Sequence, residues 1–296
     1  MAKNKYNISV VGQSNTGKST LINYLNGKYI TTESKKTQTT RINLNNMIQI
    51  KNLIVNITDT PGISLNHKDL LSSSMKNAYI KTLESIDLLI LMTEISNKDF
   101  NYEESILKLN SISNTKVFVV INKIDLCENF RSDEVRIHES FLEKHNYQNF
   151  FISLKSKYGI DKLINAIENT LLHKKPLRDE DIISDDDMRL SIQEMIRGVI
   201  INKTHSEVPY DSAVHIERIE IKKKITEIKA NIYVNKENQK KIIIGKKGEF
   251  IKQIGTESRI LLEDLYQKKF FIELKVIVKE NWKNNYLLLK EIGYID

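Results

Sequence analysis

The sequence contains few of the residues that stiffen or cross-link a chain: its 296 residues include one cysteine and three prolines. The single cysteine, Cys127, excludes an internal disulfide and fits a reducing compartment. No apolar run reaches the roughly 20 residues that a membrane-spanning helix needs. The first residues are polar and lack the apolar core of a secretory leader. These absences predict a cytoplasmic protein.

The chain does contain ordinary amounts of hydrophobic residues and an excess of positive charge. Hydrophobic residues make up 40% of the sequence, which is enough for buried cores in two domains. The 45 lysines and arginines outnumber the 38 aspartates and glutamates, so the formal net charge is +7. A basic excess favours a polyanionic partner, either nucleic acid or an acidic membrane surface. Charge alone does not choose between these two, and a highly charged soluble surface is the third interpretation.

Short apolar runs alternate with helix-like segments in the first half of the chain. Ile8–Val11, Leu88–Met92 and Val117–Ile121 have the length of strands and are apolar throughout. Strands of this kind are buried on both faces of a sheet. Residues 1–174 are therefore predicted to form an α/β domain, a mostly parallel sheet with helices on both faces. Ligands bind to such sheets at the carboxyl ends of the strands.

A change of composition separates the two halves. Residues 175–187 include Pro176 and the acidic run Asp185–Asp187, and we interpret them as a linker. Asp187 is expected to cap a helix over Met188–Ile201. Residues 188–296 are predicted to form an α+β domain. Its further elements are expected as strands at Val214–Ile221, Thr226–Val234 and Phe270–Val278 and as helices at Glu237–Ile244, Glu249–Tyr266 and Trp282–Leu289.

Residues Gly12–Ser19 match the phosphate-binding pattern G-x-x-x-x-G-K-[ST] between a predicted strand and a predicted helix. The glycines let successive backbone N–H groups and the helix N-terminus face an anion. Lys18 supplies a cation to the β- and γ-phosphates, and the Ser19 hydroxyl is a ligand for Mg²⁺. The predicted nucleotide contacts of this segment are Gly12, Gln13, Ser14, Asn15, Thr16, Gly17, Lys18, Ser19 and Thr20.

Two further segments are predicted to sense the γ-phosphate. Asp59-Thr60-Pro61-Gly62 follows an extended segment, so that Asp59 holds Mg²⁺ through water and the Gly62 N–H meets the γ-phosphate. The predicted contacts here are Asp59, Thr60, Pro61, Gly62 and Ile63. Glu33–Arg41 is polar and is interpreted as a mobile loop, in which Thr40 completes the Mg²⁺ shell and Thr39 is the alternative.

Asn122-Lys123-Ile124-Asp125 follows an apolar strand and is predicted to select the base. An ionised aspartate only accepts hydrogen bonds, and guanine offers it two adjacent donors that adenine lacks. Asp125 therefore indicates guanine, Lys123 covers the base with its aliphatic stem, and Asn122 ties this loop to the phosphate loop. Ser153 is a weaker candidate to support the base, and an ordinary turn explains it equally well.

These segments together resemble a known family. Gly12–Thr20, Gln38–Arg41, Asp59–Gly62 and Asn122–Asp125 resemble the translation-factor-related P-loop GTPases. Ser14, Thr16 and Leu154 depart from that pattern, where Pro, Val and Ala are usual. The second half looks like a type II KH domain, through Ile244–Gly248 and the residues that follow it. This combination resembles the bacterial ribosome-assembly GTPases.

The resemblance implies GTP and GDP as ligands, GTP hydrolysis and Mg²⁺ as cofactor. It also implies binding near the 3′ end of 16S ribosomal RNA, with a role in rRNA maturation and assembly of the 30S subunit from its precursor. A peripheral association with the inner membrane is a further implication. We expect a monomer.

The turn Gly245-Lys246-Lys247-Gly248 is predicted to contact RNA, because KH domains clamp about four nucleotides of single strand with such a loop. The predicted RNA contacts are Lys240, Lys241, Gly245, Lys246, Lys247, Gly248 and Arg259. A helix hairpin without RNA is the alternative. Lys222-Lys223-Lys224 is a second basic cluster, interpreted first as a solvated hairpin tip.

The predicted catalytic residues are Lys18, Thr40 and Gly62, because phosphoryl transfer depends mainly on positioning and charge neutralisation. Many GTPases carry Gln directly after the D-x-x-G glycine, whereas this chain has Ile63, so we expect slow intrinsic turnover. A K⁺ ion near Asn15 is predicted to add positive charge. Two other classes are alternatives: a P-loop small-molecule kinase, which Asn122–Asp125 disfavours, and a membrane-associated signalling GTPase.

Overall fold

Two sheets organise the chain, one in each half. The structure is a computed structural model, and it describes residues 5–31, 33, 40–60, 69–83, 86–96, 115–127, 133–144, 147–176 and 185–295. The strands in these ranges are β1 Lys5–Gly12, β2 Leu44–Ile50, β3 Leu53–Asp59, β4 Leu88–Glu94, β5 Val117–Asn122, β6 Gln148–Phe151, β7 Ala213–Ile221, β8 Thr226–Val234 and β9 Phe270–Val278. The α-helices are α1 Lys18–Asn26, α2 Leu70–Thr82, α3 Asp133–Lys144, α4 Ile160–Leu172, α5 Asp185–Lys203, α6 Val208–Asp211, α7 Glu237–Ile244, α8 Glu249–Tyr266 and α9 Tyr286–Ile292.

The first sheet has the strand order β2-β3-β1-β4-β5-β6. Its neighbours are parallel except for β2 and β3, which form an antiparallel pair. The chain passes from β1 to the edge strand β2, returns to β3 beside β1 and then crosses to β4 on the other side of β1, so the strand order reverses between β1 and β4. The carboxyl ends of these two strands are where such sheets bind ligands.

Alternate residues of the central strands pack on opposite faces of this sheet. In β4, Leu88, Ile90 and Met92 belong to the core that α1 and α4 cover. Leu89 and Leu91 belong to a second core, which includes residues of α3 and the end of α2. Because both faces are covered, the strands are apolar throughout. This confirms the predicted mostly parallel sheet with helices on both faces.

The second sheet has the order β7-β8-β9, with β7 and β8 antiparallel and β8 and β9 parallel. Helices α5, α7 and α8 supply buried residues to the core that covers it. The chain order α5-β7-β8-α7-α8-β9 gives the α+β domain that the sequence predicted. The predicted bounds of β8, α7, α8 and β9 agree with the structure.

Three predicted boundaries were wrong. The helix expected from Met188 begins at Asp185, so the acidic run is its first turn and Asp187 is not its cap. Acidic residues are favourable there because the first N–H groups of a helix carry positive charge. The expected last helix is split into a 3₁₀ turn, Trp282–Asn284, and α9, because the Asn285 side chain accepts from Leu288 N and starts a new helix. The sequence also predicts a strand at Phe150–Ser153, which is β6 and begins and ends two residues earlier, at Gln148 and Phe151. The helix that the sequence predicts at Tyr102–Leu109 lies outside the described residues.

The two halves share a buried interface. Ile42, Leu44, Leu71 and Met75 of the first half lie in one apolar cluster with residues of the second half. That cluster includes Trp282, which is fully buried and whose Nε1 donates to Asp211 O at 2.9 Å. This interface brings the C-terminal half close to the ligand edge of the first sheet.

Candidate functional sites

The phosphate loop joins β1 to α1. Gly17 has a φ of 101°, and a Cβ there would lie 2.4 Å from Asn122 Nδ2, so the turn requires glycine. Lys18 is buried, and its Nζ donates to Gly12 O at 3.1 Å and Gln13 O at 2.9 Å. Burial lowers the pKa of Lys18, and the nearby Asp59 carboxylate opposes that shift. A bound anion would favour the charged ammonium further.

A carboxylate and two hydroxyls meet beside this loop. Asp59 is fully buried at the end of β3, and its Oδ2 accepts from Ser19 Oγ at 2.7 Å and Thr40 Oγ1 at 3.2 Å. Within the described chain its Oδ1 has no hydrogen-bond partner. Burial raises the pKa of Asp59, while Lys18 and the two hydroxyls lower it. These oxygens are the donors that Mg²⁺ prefers, and the orphaned buried oxygen leaves a lone-pair site for the ion or its water.

Three residues on two neighbouring strand ends form the base side. Asn122 Nδ2 donates to Thr16 O at 2.9 Å, and Asn122 Oδ1 accepts from Leu154 N at 3.3 Å. Asn122 therefore ties the base loop to the phosphate loop, and the Leu154 backbone takes part despite its unusual side chain. Lys123 Nζ forms an ion pair with Glu94.

Asp125 is exposed, and the Ser153 hydroxyl contacts its carboxylate. Ser153 Oγ donates to Asp125 Oδ1 at 2.5 Å and accepts from Ser156 N at 3.0 Å. The hydroxyl expected to support the base thus donates to the aspartate that is expected to read the base.

A cavity of about 940 Å³ lies between the phosphate loop and the base loop. The predicted residues that line it are Asn15, Gly17, Thr20, Asn122, Lys123 and Asp125. The other lining residues, which were not among the predicted contacts, are Glu33, Glu94, Leu126, Leu154, Lys155 and Asn202. Asn202 lies in the C-terminal half, and its Nδ2 donates to Glu33 O at 3.1 Å. No local pattern could identify it, because the folded interface alone places it at this cavity.

Several predicted contacts have other hydrogen-bond partners or lie outside the described residues. The Thr60 hydroxyl donates to Val10 O at 2.8 Å and is thus turned into the sheet. Thr20 Oγ1 donates to Glu33 Oε2 at 2.9 Å. Pro61, Gly62 and Ile63, and also Thr39, lie outside the described residues. Arg41 was assigned to a mobile loop, but it is buried in the domain interface because C-terminal carbonyl groups accept its hydrogen bonds.

The glycine-lysine turn between α7 and α8 is exposed and positively charged. Gly245 has a φ of 72°, and a Cβ there would lie 2.5 Å from Phe250 Cβ, so this turn also requires glycine. Lys246 and Lys247 are exposed. Among the residues that the structure describes, no carboxylate forms an ion pair with the predicted RNA-contacting cations Lys240, Lys241, Lys246, Lys247 and Arg259.

A groove of about 460 Å³ continues from this turn between α8 and β9. Its lining residues are Ile251, Lys252, Gly255, Thr256, Arg259, Phe271, Ile272 and Leu274. Phe271 is 54% exposed, which is unusual for a phenylalanine and leaves a ring face for stacking. Lys252 and Phe271 were not among the predicted RNA contacts. The signal for both lies in the sequence pattern, in which Lys252 and Phe271 occupy outward-facing positions next to apolar positions of the core.

Comparisons with known proteins agree with this two-part architecture. A family described as 50S ribosome-binding GTPase matches residues 7–123, and a KH domain family matches residues 193–283. GTPase Era of Thermotoga petrophila is 34% identical over 294 residues, covering 98% of this chain and 97% of that protein. The chain belongs to the Era family of GTPases. It is therefore a GTP-hydrolysing enzyme whose Era-type GTPase domain is followed by a KH domain.

Two solved Era structures have the same fold over the whole chain. One is a variant of Aquifex aeolicus Era bound to GDP·AlF₄⁻, with a TM-score of 0.88, 31% identity and coverage of 99% of this chain and 100% of that chain. The other is Era in complex with MgGDPNP and nucleotides 1506–1542 of 16S ribosomal RNA, with a TM-score of 0.87, 32% identity and full coverage of both chains. Guanine nucleotides are thus ligands of this fold.

Replacing Asp125 with Asn tests the base assignment. The amide oxygen still accepts from N1–H, but the amide NH2 would face the 2-amino group of guanine, which is also a donor, whereas xanthine has a carbonyl acceptor at that position, so preference should move from GTP towards xanthosine triphosphate. Selectivity should change by orders of magnitude, since a site built on hydrogen bonds discriminates by roughly 10⁴-fold or more. Competitive binding of the two nucleotides measures the ratio. Unchanged guanine selectivity would show that another residue selects the base.

Proposed function

We propose that this Era-family GTPase is a switch that binds 16S ribosomal RNA near its 3′ end and acts in rRNA maturation and 30S assembly. The observation that carries the proposal is the pairing, in one chain, of a guanine-nucleotide cavity with an unpaired cationic turn and apolar groove. The similarity to the solved Era complex with a 16S rRNA fragment supports the choice of RNA. In this proposal the nucleotide state decides when the RNA is held.

On the nucleotide side, we assign Mg²⁺ to the Ser19 and Thr40 hydroxyls, with Asp59 acting through water. When bound, Mg²⁺ would neutralise charge on the β- and γ-phosphates. Lys18 supplies a second positive charge inside the loop, where burial strengthens its attraction to the phosphates. The Gly62 N–H is assigned to the γ-phosphate. Since Ile63 offers no side chain to orient water, slow intrinsic turnover stays a prediction.

The monovalent-cation assignment depends on Asn15. This residue is exposed, lines the nucleotide cavity and has a φ of 67°. A K⁺ ion held there would place positive charge beside the transferring phosphate without an added protein side chain.

Hydrolysis by the whole chain should therefore be several-fold faster in K⁺ than in Na⁺ at equal ionic strength, and Asn15→Ala should remove the difference. Single-turnover phosphate release measures both rates. Equal rates of the unsubstituted protein in the two salts would contradict the assignment.

The RNA assignment depends first on the charge of the turn. Changing Lys246 and Lys247 to Asp should abolish binding to a 16S rRNA 3′-end fragment at moderate salt, because both positions would then repel phosphates. GTP binding should survive, since the turn is remote from the nucleotide cavity. If two phosphate contacts are lost, the slope of log K against log salt concentration should become shallower by about 1.4, which is roughly 0.7 for each contact to a single strand.

Lys223 and Lys224 offer a matched control for that experiment. They are exposed on the turn between β7 and β8 and undergo the same change of charge when replaced by Asp. We expect the control variant to bind the fragment nearly as well as the unsubstituted chain. Equal losses in both variants would mean that only total charge matters and would refute the assignment of the glycine-lysine turn.

The assignment of the groove to an RNA base can be tested at Gly255, which lies inside α8. A Cβ there would lie 3.6 Å from Leu274 Cδ1, an ordinary contact, so the fold has room for alanine. Gly255→Ala should stabilise α8 by about 1 kcal/mol through helix propensity. The new methyl group would narrow the groove where a base is proposed to lie, so RNA affinity should fall while the midpoint of unfolding rises. Unchanged RNA affinity together with higher stability would show that the base lies elsewhere.

The remaining assignments concern organisation and location. We propose a GTPase domain at residues 1–174, a linker at 175–187 and a KH domain at 188–296, in a monomeric cytoplasmic protein. None of the helices in the described ranges is both long and apolar enough to cross a membrane. Lys222 forms ion pairs with Glu220 and Glu227, which lowers the net positive charge of the hairpin tip that could meet a membrane. Binding to anionic vesicles, compared with rRNA, tests the peripheral membrane contact.

A further inference from the structure

Arg41 crosses from the GTPase domain into the C-terminal domain. Its Nη1 donates to Ser212 O at 2.7 Å and its Nη2 to Tyr210 O at 2.6 Å. The guanidinium carbon lies 5.4 Å from the centre of the Trp282 ring, and the residue is 2% exposed. An arginine is seldom buried unless its charge and its donors are satisfied. All three of these partners lie in the C-terminal domain.

A buried charge cluster of the C-terminal domain surrounds this side chain. Arg197 donates through Nε to both carboxylate oxygens of Glu194, at 2.9 and 3.0 Å, and both side chains are almost fully buried. The Tyr294 hydroxyl donates to Glu194 Oε1 at 3.1 Å. Burial raises the pKa of Tyr294 to about 12, and the Glu194 charge adds to this. The hydroxyl therefore remains a donor at neutral pH and fixes the carboxylate.

The charges of this cluster also reach the Arg41 side chain. Burial lowers the pKa of Arg41, Arg197 lowers it further, and Tyr294 and Glu194 oppose the shift. Charges this deeply buried interact strongly, because little solvent screens them.

The peptide bond between Thr40 and Arg41 makes this cluster relevant to the nucleotide. Consecutive Cα atoms lie about 3.8 Å apart, so fixing Arg41 restricts where Thr40 can place its hydroxyl. Thr40 Oγ1 donates to Asp59 Oδ2 at 3.2 Å, on the same oxygen that accepts from Ser19. The last residue of the nucleotide-sensing loop is therefore anchored outside its own domain.

We propose that Arg41 is a positioning residue for Thr40, and that the C-terminal domain holds Arg41 in place through the Tyr210 and Ser212 carbonyl groups and the Trp282 ring, against which Tyr294 packs. The proposal rests on the assignment of Thr40 to the Mg²⁺ shell of bound GTP. It makes affinity for GTP depend on the integrity of the domain interface. GDP lacks the γ-phosphate that brings Thr40 to the ion, so affinity for GDP should be largely independent of Arg41.

The test compares GDP with the non-hydrolysable analogue GDPNP, each bound to the full chain in Mg²⁺. Arg41→Met keeps the apolar stem and removes the guanidinium. It should weaken GDPNP roughly tenfold, within the range usual for coupling between sites, and leave GDP nearly unchanged. Arg41→Lys, which cannot reach both carbonyl groups in the same geometry, should restore only part of the loss. Fluorescent-nucleotide titration gives the dissociation constants.

Arg189 provides the matched control, because its guanidinium also donates to a backbone carbonyl, that of Ile216, but stays within the C-terminal domain. Arg189→Met should leave the ratio of GDPNP to GDP affinity unchanged. If Arg41→Met does not fold, Tyr294→Phe removes one hydroxyl from the cluster and should lower the same ratio by a smaller factor. Equal weakening of both nucleotides, or no change in the ratio, would overturn the proposal.

Thr40→Ala separates this proposal from the assignment on which it rests. A fall in the GDPNP to GDP affinity ratio in Thr40→Ala, without a fall in Arg41→Met or Tyr294→Phe, would refute the positioning role alone. An unchanged ratio in Thr40→Ala would refute the assignment of Thr40 to the Mg²⁺ shell. If the C-terminal domain positions Thr40, the GDPNP to GDP affinity ratio should fall both in Thr40→Ala and in Arg41→Met.

Discussion

The buried carboxylate of Asp59 is the group on which the arrangement of the nucleotide site depends. A charged carboxylate without solvent is unfavourable unless hydroxyls, cations or a metal ion compensate for it. Ser19 comes from the start of α1, Thr40 from the segment before β2, and Lys18 from the phosphate loop. One buried charge thus brings together residues from the start of α1 and from the segment before β2 at the carboxyl end of β3.

The same requirement extends across the domain interface. Arg41 is buried beside this site, and it satisfies two of its donors with carbonyl groups of the C-terminal domain. Glu194 and Arg197 satisfy each other, with Tyr294 as a third member. A polar network of this kind is stable only when nearly all its members are in place, so it favours one relative position of the domains. The apolar cluster that includes Trp282 supplies the buried apolar surface that stabilises the interface containing this network.

The proposed RNA contacts depend on a different kind of interaction. Lys246, Lys247 and the neighbouring cations are exposed, so their attraction to phosphates is screened by salt. The groove beside them supplies apolar contact and a phenylalanine ring, which are less sensitive to salt. This Era-family chain therefore holds its nucleotide with buried, strongly interacting groups, while its KH domain presents an exposed surface from which RNA can be released.

The sequence by itself determined the local chemistry. Gly12–Ser19, Asp59 and Asn122–Asp125 could be recognised because phosphate and guanine binding impose fixed residue types at fixed spacings, and the alternating patterns located β8, α7, α8 and β9. Only the tertiary structure decided the rest. Ser153 orients Asp125, Asn202 reaches the nucleotide cavity and Arg41 is buried among C-terminal residues. These contacts join residues from 28 to 171 positions apart. Local periodicity carries no information about such partners, because the packing of the two domains creates them.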